Sequence, residues 1–144
     1  MKKIFIIILS LSFYFSVNST AKENFFEEAK NKYDKELISD SKFLFQRNIV
    51  FNPKDAKSYL YLAKIYSLEE NEKEELKNLE TTLLLDPKNE EAMYMLIQIE
   101  LKKSNFSEVK DLTKKFNIIC SKFCNKTKDI EQKLKDAQAK KGNN

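Results

Sequence analysis

Two prolines, 34 residues apart, sit in the same local sequence: Phe51-Asn52-Pro53-Lys54-Asp55 and Leu85-Asp86-Pro87-Lys88-Asn89. They are the only prolines in 144 residues. A fixed period of this length points to helix-turn-helix units stacked on one another. A second signal keeps the same step: Asn71-x-x-Glu74 returns as Asn105-x-x-Glu108. Each is an N-cap residue with Glu three positions on, the pattern that satisfies free N–H groups at a helix start. Asp55 and Asn89, just after the prolines, are placed to cap the other helix of each unit. Each proline ends the helix before it, because it lacks an N–H and its ring clashes with the preceding turn.

Between these marks the apolar spacing is helical. Tyr59, Leu62, Ala63 and Tyr66 fall at i, i+3, i+4 and i+7, and Met93, Leu96 and Ile97 repeat the first three. Phe25, Ala29 and Tyr33 open the series. Ile38, Phe45 and Ile49, then Leu76, Leu79 and Leu83, then Val109, Leu112 and Phe116 mark the alternate helices. The pattern predicts helices over about 23–35, 38–51, 55–67, 71–84, 89–102, 106–120 and 127–140. The fold class is therefore all-α, a solenoid of about three antiparallel helix-turn-helix units. The last helix has Ile130, Leu134 and Ala137 on one face and polar residues elsewhere, as the terminal element of a stack requires. Residues 141–144 read as a disordered tail.

Composition supports this and removes most catalytic classes. There is no His, so no Ser-His-Asp or Cys-His system and no imidazole metal site is available. The single Gly lies at position 142, so no glycine loop can cradle phosphate. No cofactor is implied. A Ser-Lys dyad is compatible with the composition, but nothing marks one out. An enzyme or small-ligand binder is the disfavoured alternative.

Lys2 and Lys3, the apolar run Ile4 to Val17 and the small-residue segment Asn18-Ser19-Thr20-Ala21 occur in the order of a secretory signal. Cleavage is expected after Ala21. The apolar run has 14 residues, short for a spanning helix, which needs about 20. An uncleaved anchor in the inner membrane is the alternative, and membrane contact is expected only through this segment. Two of the 26 basic residues lie in it, which leaves 24 against 22 acids, a net +2. That balance carries no nucleic-acid footprint. The expected compartment is the periplasm or the exterior. Three N-x-[ST] triplets, at Asn18, Asn105 and Asn125, are what an Asn-rich chain holds by chance. The densest acidic run is Glu69, Glu70, Glu72, Glu74 and Glu75. It reads as a solvated helix start, with an acidic docking patch or a loose cation site as the alternative.

Cys120 and Cys124 are the only cysteines, and they flank Ser121, the place 34 residues past Pro87. In an oxidising compartment such a pair is a candidate disulfide. A reduced core pair stays open. A metal or redox role is disfavoured, because C-x-x-C spacing is absent and two thiolates do not complete a zinc site.

The sequence resembles the tetratricopeptide repeat family. The likeness is carried by Tyr59-x-x-Leu62-Ala63-x-x-Tyr66 with Pro87 closing the unit, and it spans about 22–121. Ala63, and Ala29 in the first unit, take the family's small-residue place. Ile97 and Glu100 depart from the pattern in the third unit, as do Glu75 and Thr82 elsewhere. The resemblance implies units of about 22–55, 56–89 and 90–123 and a capping helix at 127–140. It also implies a concave groove, lined by the first helix of each unit, that binds a protein or peptide partner. The groove residues carried over are Glu23, Phe26, Lys30 and Tyr33; Lys57, Leu60, Tyr61 and Lys64; and Glu91, Tyr94, Met95 and Gln98. Phe26, Leu60 and Tyr94 are expected to form one exposed apolar patch, unless they pack against the N-terminal segment or the cap. The family's carboxylate clamp is not implied, because Phe26 and Leu60 stand at two of its positions. The expected role is a non-catalytic adaptor in envelope assembly or secretion.

Overall fold

The structure is a computed structural model that describes residues 25–142. Seven helices and no strand occur among these residues. They are α1 (Phe25–Asp34), α2 (Ile38–Phe51), α3 (Ala56–Leu68), α4 (Glu72–Leu85), α5 (Glu90–Lys102), α6 (Phe106–Ile119) and α7 (Lys126–Gly142). Short turns make consecutive helices antiparallel neighbours, and α7 packs on both α5 and α6. The expected signal segment and cleavage site, and groove candidate Glu23, lie outside the described residues.

The turns show how a chain with one Gly closes six tight connections. Glu36, Glu70 and Ser104 each end a first helix, and each has positive φ, at 60°, 56° and 57°. They too are 34 residues apart. The N–H of Leu37, Asn71 and Asn105 then returns to the carbonyl of Lys32, Tyr66 and Glu100, at 2.9, 2.9 and 3.0 Å. This is the hydrogen bond that a left-handed residue makes possible at a helix C-terminus. Glycine would adopt it without the steric cost that Cβ adds.

Two of the expected caps form. Asn71 accepts from the Glu74 N–H at 3.3 Å, and Asn89 from the Ala92 N–H at 3.0 Å. The other two side chains are used differently. Asp55 Oδ2 accepts from Asn48 Nδ2 and Ser58 Oγ, at 2.8 and 2.7 Å. Asn48 and Ser58 are buried, so their polar atoms need partners more than an exposed helix end does. Asn105 donates to Glu100 Oε2 at 2.8 Å, which gives a buried carboxylate a donor.

The core runs the length of the stack in three clusters. Phe25, Ala29, Leu44, Phe45, Leu62 and Ile65 form the first. Leu60, Ala63, Leu79, Ala92 and Ile99 form the middle one. Met93, Ile97, Val109, Leu112, Phe116 and Ile130 form the last. Ala29 and Ala63 are fully buried, as expected where helices approach closely. The Ser41 hydroxyl reaches the Ala29 carbonyl across that approach, at 2.9 Å. Thr82, where the family prefers Ala, is buried with its hydroxyl bonded back to the Asn78 carbonyl at 2.8 Å.

The expectation for the tail is corrected in part. Helix α7 continues through Gly142, so residues 141 and 142 are helical. Lys140, in its last turn, sits where the helix dipole favours a cation. Residues 143–144 lie outside the described residues.

Candidate partner-binding groove

Helices α1, α3 and α5 carry the groove candidates, and an aromatic cluster joins the first two. Tyr61 is its hub. Its ring stacks on buried Phe45 at 4.9 Å and meets Tyr33 and Phe26 edge-on at 5.1 and 5.8 Å. These edge-to-face contacts suit the quadrupoles of aromatic rings. Phe26, Tyr33 and Tyr61 are all half-buried, so each keeps one side toward solvent.

Lysines surround this floor. Lys64 Nζ lies 4.7 Å from the Tyr61 ring centre and pairs with Glu91 of α5 at 2.7 Å. Lys57, exposed, stands 6.0 Å from the Phe26 ring centre. Lys30 pairs with Asp34 one turn on. The hydrogen bond to Asp34 raises the Lys30 pKa above its usual range, and nearby Tyr61 adds to the shift. Burial raises the pKa of both Tyr33 and Tyr61.

The third unit is different, because α7 lies over it. The Tyr94 hydroxyl donates to Asp129 at 3.0 Å, and Lys126 lies 5.6 Å from its ring centre. Lys133 donates to Gln98 Oε1 at 2.9 Å, while Gln98 Nε2 is buried without a partner among the described residues. Met95 is half-buried against the middle core cluster.

The expected patch of Phe26, Leu60 and Tyr94 is therefore not formed. Leu60 is only 7% exposed and belongs to the middle core cluster with Leu79 and Ala92. Burial against the next unit removes it from the groove. Tyr94 is engaged by the cap. What the structure does bring together is Phe26, Lys30, Tyr33, Lys57, Tyr61, Lys64 and Glu91, across α1, α3 and the start of α5.

Three acids of the dense run are paired. Glu69 meets Lys42 at 2.6 Å, Glu72 meets Lys103 at 3.4 Å, and Glu74 meets Lys77 at 3.6 Å. Glu75 is buried. No group of three or more His, Cys, Asp or Glu among the described residues is placed to hold a metal ion.

The third turn holds the two cysteines. Cys120 and Cys124 form a disulfide with Cα atoms 5.2 Å apart. Helix α6 has ended at Ile119, so the bridge spans a turn and escapes the poor aim of side chains on a regular helix. Glu90, the first residue of α5, holds the same turn from outside. It accepts from the Ser121 hydroxyl at 2.7 Å and from the N–H groups of Lys122 and Phe123 at 2.9 and 2.8 Å. The Ser121 hydroxyl, followed by these N–H groups, holds the Glu90 carboxyl down to about 2. Sequence reasoning did not find this contact, which joins residues more than 30 positions apart.

Several solved structures share this fold, three of them as follows. One is SycD, a type III secretion chaperone of Yersinia enterocolitica in complex with a peptide of the translocator YopD. It matches at 16% identity and TM-score 0.71, over 88% of this chain and 98% of its own. The TPR2B domain of yeast Sti1, in a complex with pHsp70, matches at 15% and 0.67, over 82% and 96%. PcrH, in complex with the chaperone-binding region of PopD, matches at 13% and 0.68, over 88% and 97%. The chain has the tetratricopeptide-repeat fold. No family model matches its sequence, and no curated protein matches it either. The repeat fold explains why the 34-residue step governs prolines, left-handed residues and core positions together.

Proposed function

We propose that this protein is a non-catalytic adaptor that holds a peptide segment of a partner protein in the groove between α1, α3 and α5. The observation that carries the reading is the half-buried floor of Phe26, Tyr33 and Tyr61, ringed by Lys30, Lys57 and Lys64. Rigid aromatic rings beside cations suit an extended segment that offers an apolar side chain next to an acidic one. SycD and PcrH, which share the fold, are complexed with segments of YopD and PopD. The absence of His, and of glycine loops, supports a holding role over a chemical one. The signal-like residues 1–21 support a place in the periplasm and a role in envelope assembly or secretion. Residues 4–17, if retained, would instead anchor the same domain in the inner membrane.

The test is affinity capture from envelope extract with the unsubstituted chain, Lys57→Glu, Tyr33→Ala and Lys110→Glu. Lys110 is exposed on outer helix α6. A partner retained by the unsubstituted chain and by Lys110→Glu, and lost by both groove variants, supports the reading. Equal retention by all four contradicts it.

A further inference from the structure

One more set of positions keeps the 34-residue step. Val50, Leu84 and Ile118 are each the penultimate residue of a second helix, α2, α4 or α6, and are 75%, 80% and 83% exposed. Lys54, Lys88 and Lys122 follow four residues later, one in each of the turns that close these helices, and all are exposed. Equivalent positions of stacked units line up along the stack. The three aliphatic–lysine pairs therefore form one row along a single edge, and exposed Phe51 joins it at the first turn.

The fully exposed charges of this edge are mostly basic. Lys128, in the first turn of α7, adds another exposed cation. The acids of the same turns and first turns are half-buried and bonded within the fold. Asp55 is bonded to Asn48 and Ser58, and Asp86 to the Lys88 N–H and Asn89. Glu90 holds the third turn, Glu91 pairs with Lys64, and Asp129 pairs with Lys133. The exposed acids nearby are Glu27 and Glu28, at one end of the row. At the opposite edge the exposed charges are mixed, with Glu36, Glu69, Glu70 and Glu72 standing among Lys35, Lys73, Lys102 and Lys103.

The chain also leaves the described structure at this edge. Phe25, the first residue of α1, stacks on Phe51 at 5.5 Å, beneath the Arg47 guanidinium. The preceding residues include the apolar run from Ile4 to Val17. No helix among the described residues is long and apolar enough to cross a membrane.

We propose that this turn edge rests on an anionic lipid surface. Lys54, Lys88 and Lys122 meet headgroup phosphates, while Val50, Phe51, Leu84 and Ile118 enter the boundary with the acyl chains. The pairing of aliphatics with lysines favours a bilayer over an acidic protein, and the exit of the N-terminal segment at the same edge agrees. The groove reading does not depend on this contact.

The test uses residues 22–144, because every core residue lies between Phe25 and Leu134. Binding is read by co-sedimentation with vesicles of phosphatidylcholine and phosphatidylglycerol in equal parts, and with phosphatidylcholine alone. The expected result is binding that needs phosphatidylglycerol and weakens with salt. The triple variant Lys54→Glu, Lys88→Glu, Lys122→Glu should lose roughly 100-fold in partitioning. The triple variant Val50→Ser, Leu84→Ser, Ile118→Ser should lose roughly tenfold, through apolar contact alone. All six positions are exposed, and circular dichroism checks that each variant keeps its helices. Three outcomes overturn the proposal: no phosphatidylglycerol dependence, either triple variant binding like the unsubstituted chain, or soluble polyglutamate binding as tightly as the vesicles. The last would point to an acidic protein.

Discussion

The turns around Pro53 and Pro87 and the turn around Ser121 occupy the same place in successive units, yet they are built from different chemistry. Their backbones begin alike. The N–H groups of Asn52, Asp86 and Cys120 return to the carbonyl four residues back, at 2.7, 2.7 and 2.8 Å. The first two turns are then fixed locally, by the restricted φ of proline and by short Asn and Asp side chains. The third has no proline. A disulfide closes it, and Glu90 clamps it from the start of α5. The geometry of the turn is what the stack requires, and local stiffness or a tertiary clamp can each supply it.

Core truncation is the harshest way to break the comparison. Phe45 and Phe116 are fully buried in the first and last clusters. Replacing either by Ala should cost about 3–5 kcal/mol in chemical denaturation. Because each unit contacts only its neighbours, Phe116→Ala should release amide protons of α6 and α7 first and leave α1 and α2 protected. Uniform loss of protection along the stack would contradict this.

The turns themselves come next. Replacing both cysteines by Ser should cost about 2 kcal/mol, the chain-entropy value for so short a loop. Pro53→Ala should cost about 0.5–1 kcal/mol, through the unfolded chain alone. Equal losses would deny the difference between the clamped and the stiff turn. At the opposite edge, Glu70→Gly should raise stability by about 0.5–1 kcal/mol, because glycine takes positive φ without the Cβ penalty. No gain would mean that the φ of 56° carries no strain.

The gentlest probe is pH. The Glu90 carboxyl is held below its ordinary value of 4.5, at about 2. A depressed pKa means that the folded state favours the ionised form. The stability it contributes is present above 4.5 and lost as pH falls toward 2. The difference in melting temperature between the unsubstituted chain and Glu90→Gln should narrow as pH falls through that window. A constant difference would show that the carboxylate charge is not what holds the third turn.

Much of this architecture was legible before the structure. Pro53 and Pro87 are discrete marks, and Ala29 and Ala63 are small where helices must touch. Leu60 was misplaced for a physical reason. Assigning it to the groove assumed that each inner helix shows one face outward, whereas α3 is packed between two units and buries Leu60 together with Leu62, Ala63 and Ile65. Tyr94 depended on where α7 would lie, and periodicity gives a face without a partner. Glu36, Glu70 and Ser104 hid in plain sight, since nothing in their side chains announces a left-handed turn. Glu90 reads as one acid among 22, and only folding sets its carboxylate against the third turn.

The central claim is that the inner face of α1, α3 and α5 holds a partner. Site-specific crosslinking tests it most directly, with a photoreactive residue at position 57 in the groove and, separately, at position 110 on the outer helix α6. The account predicts a crosslink to one partner protein in the intact envelope from position 57 and none to it from position 110. A partner that crosslinks from position 110 and not from position 57 would contradict it.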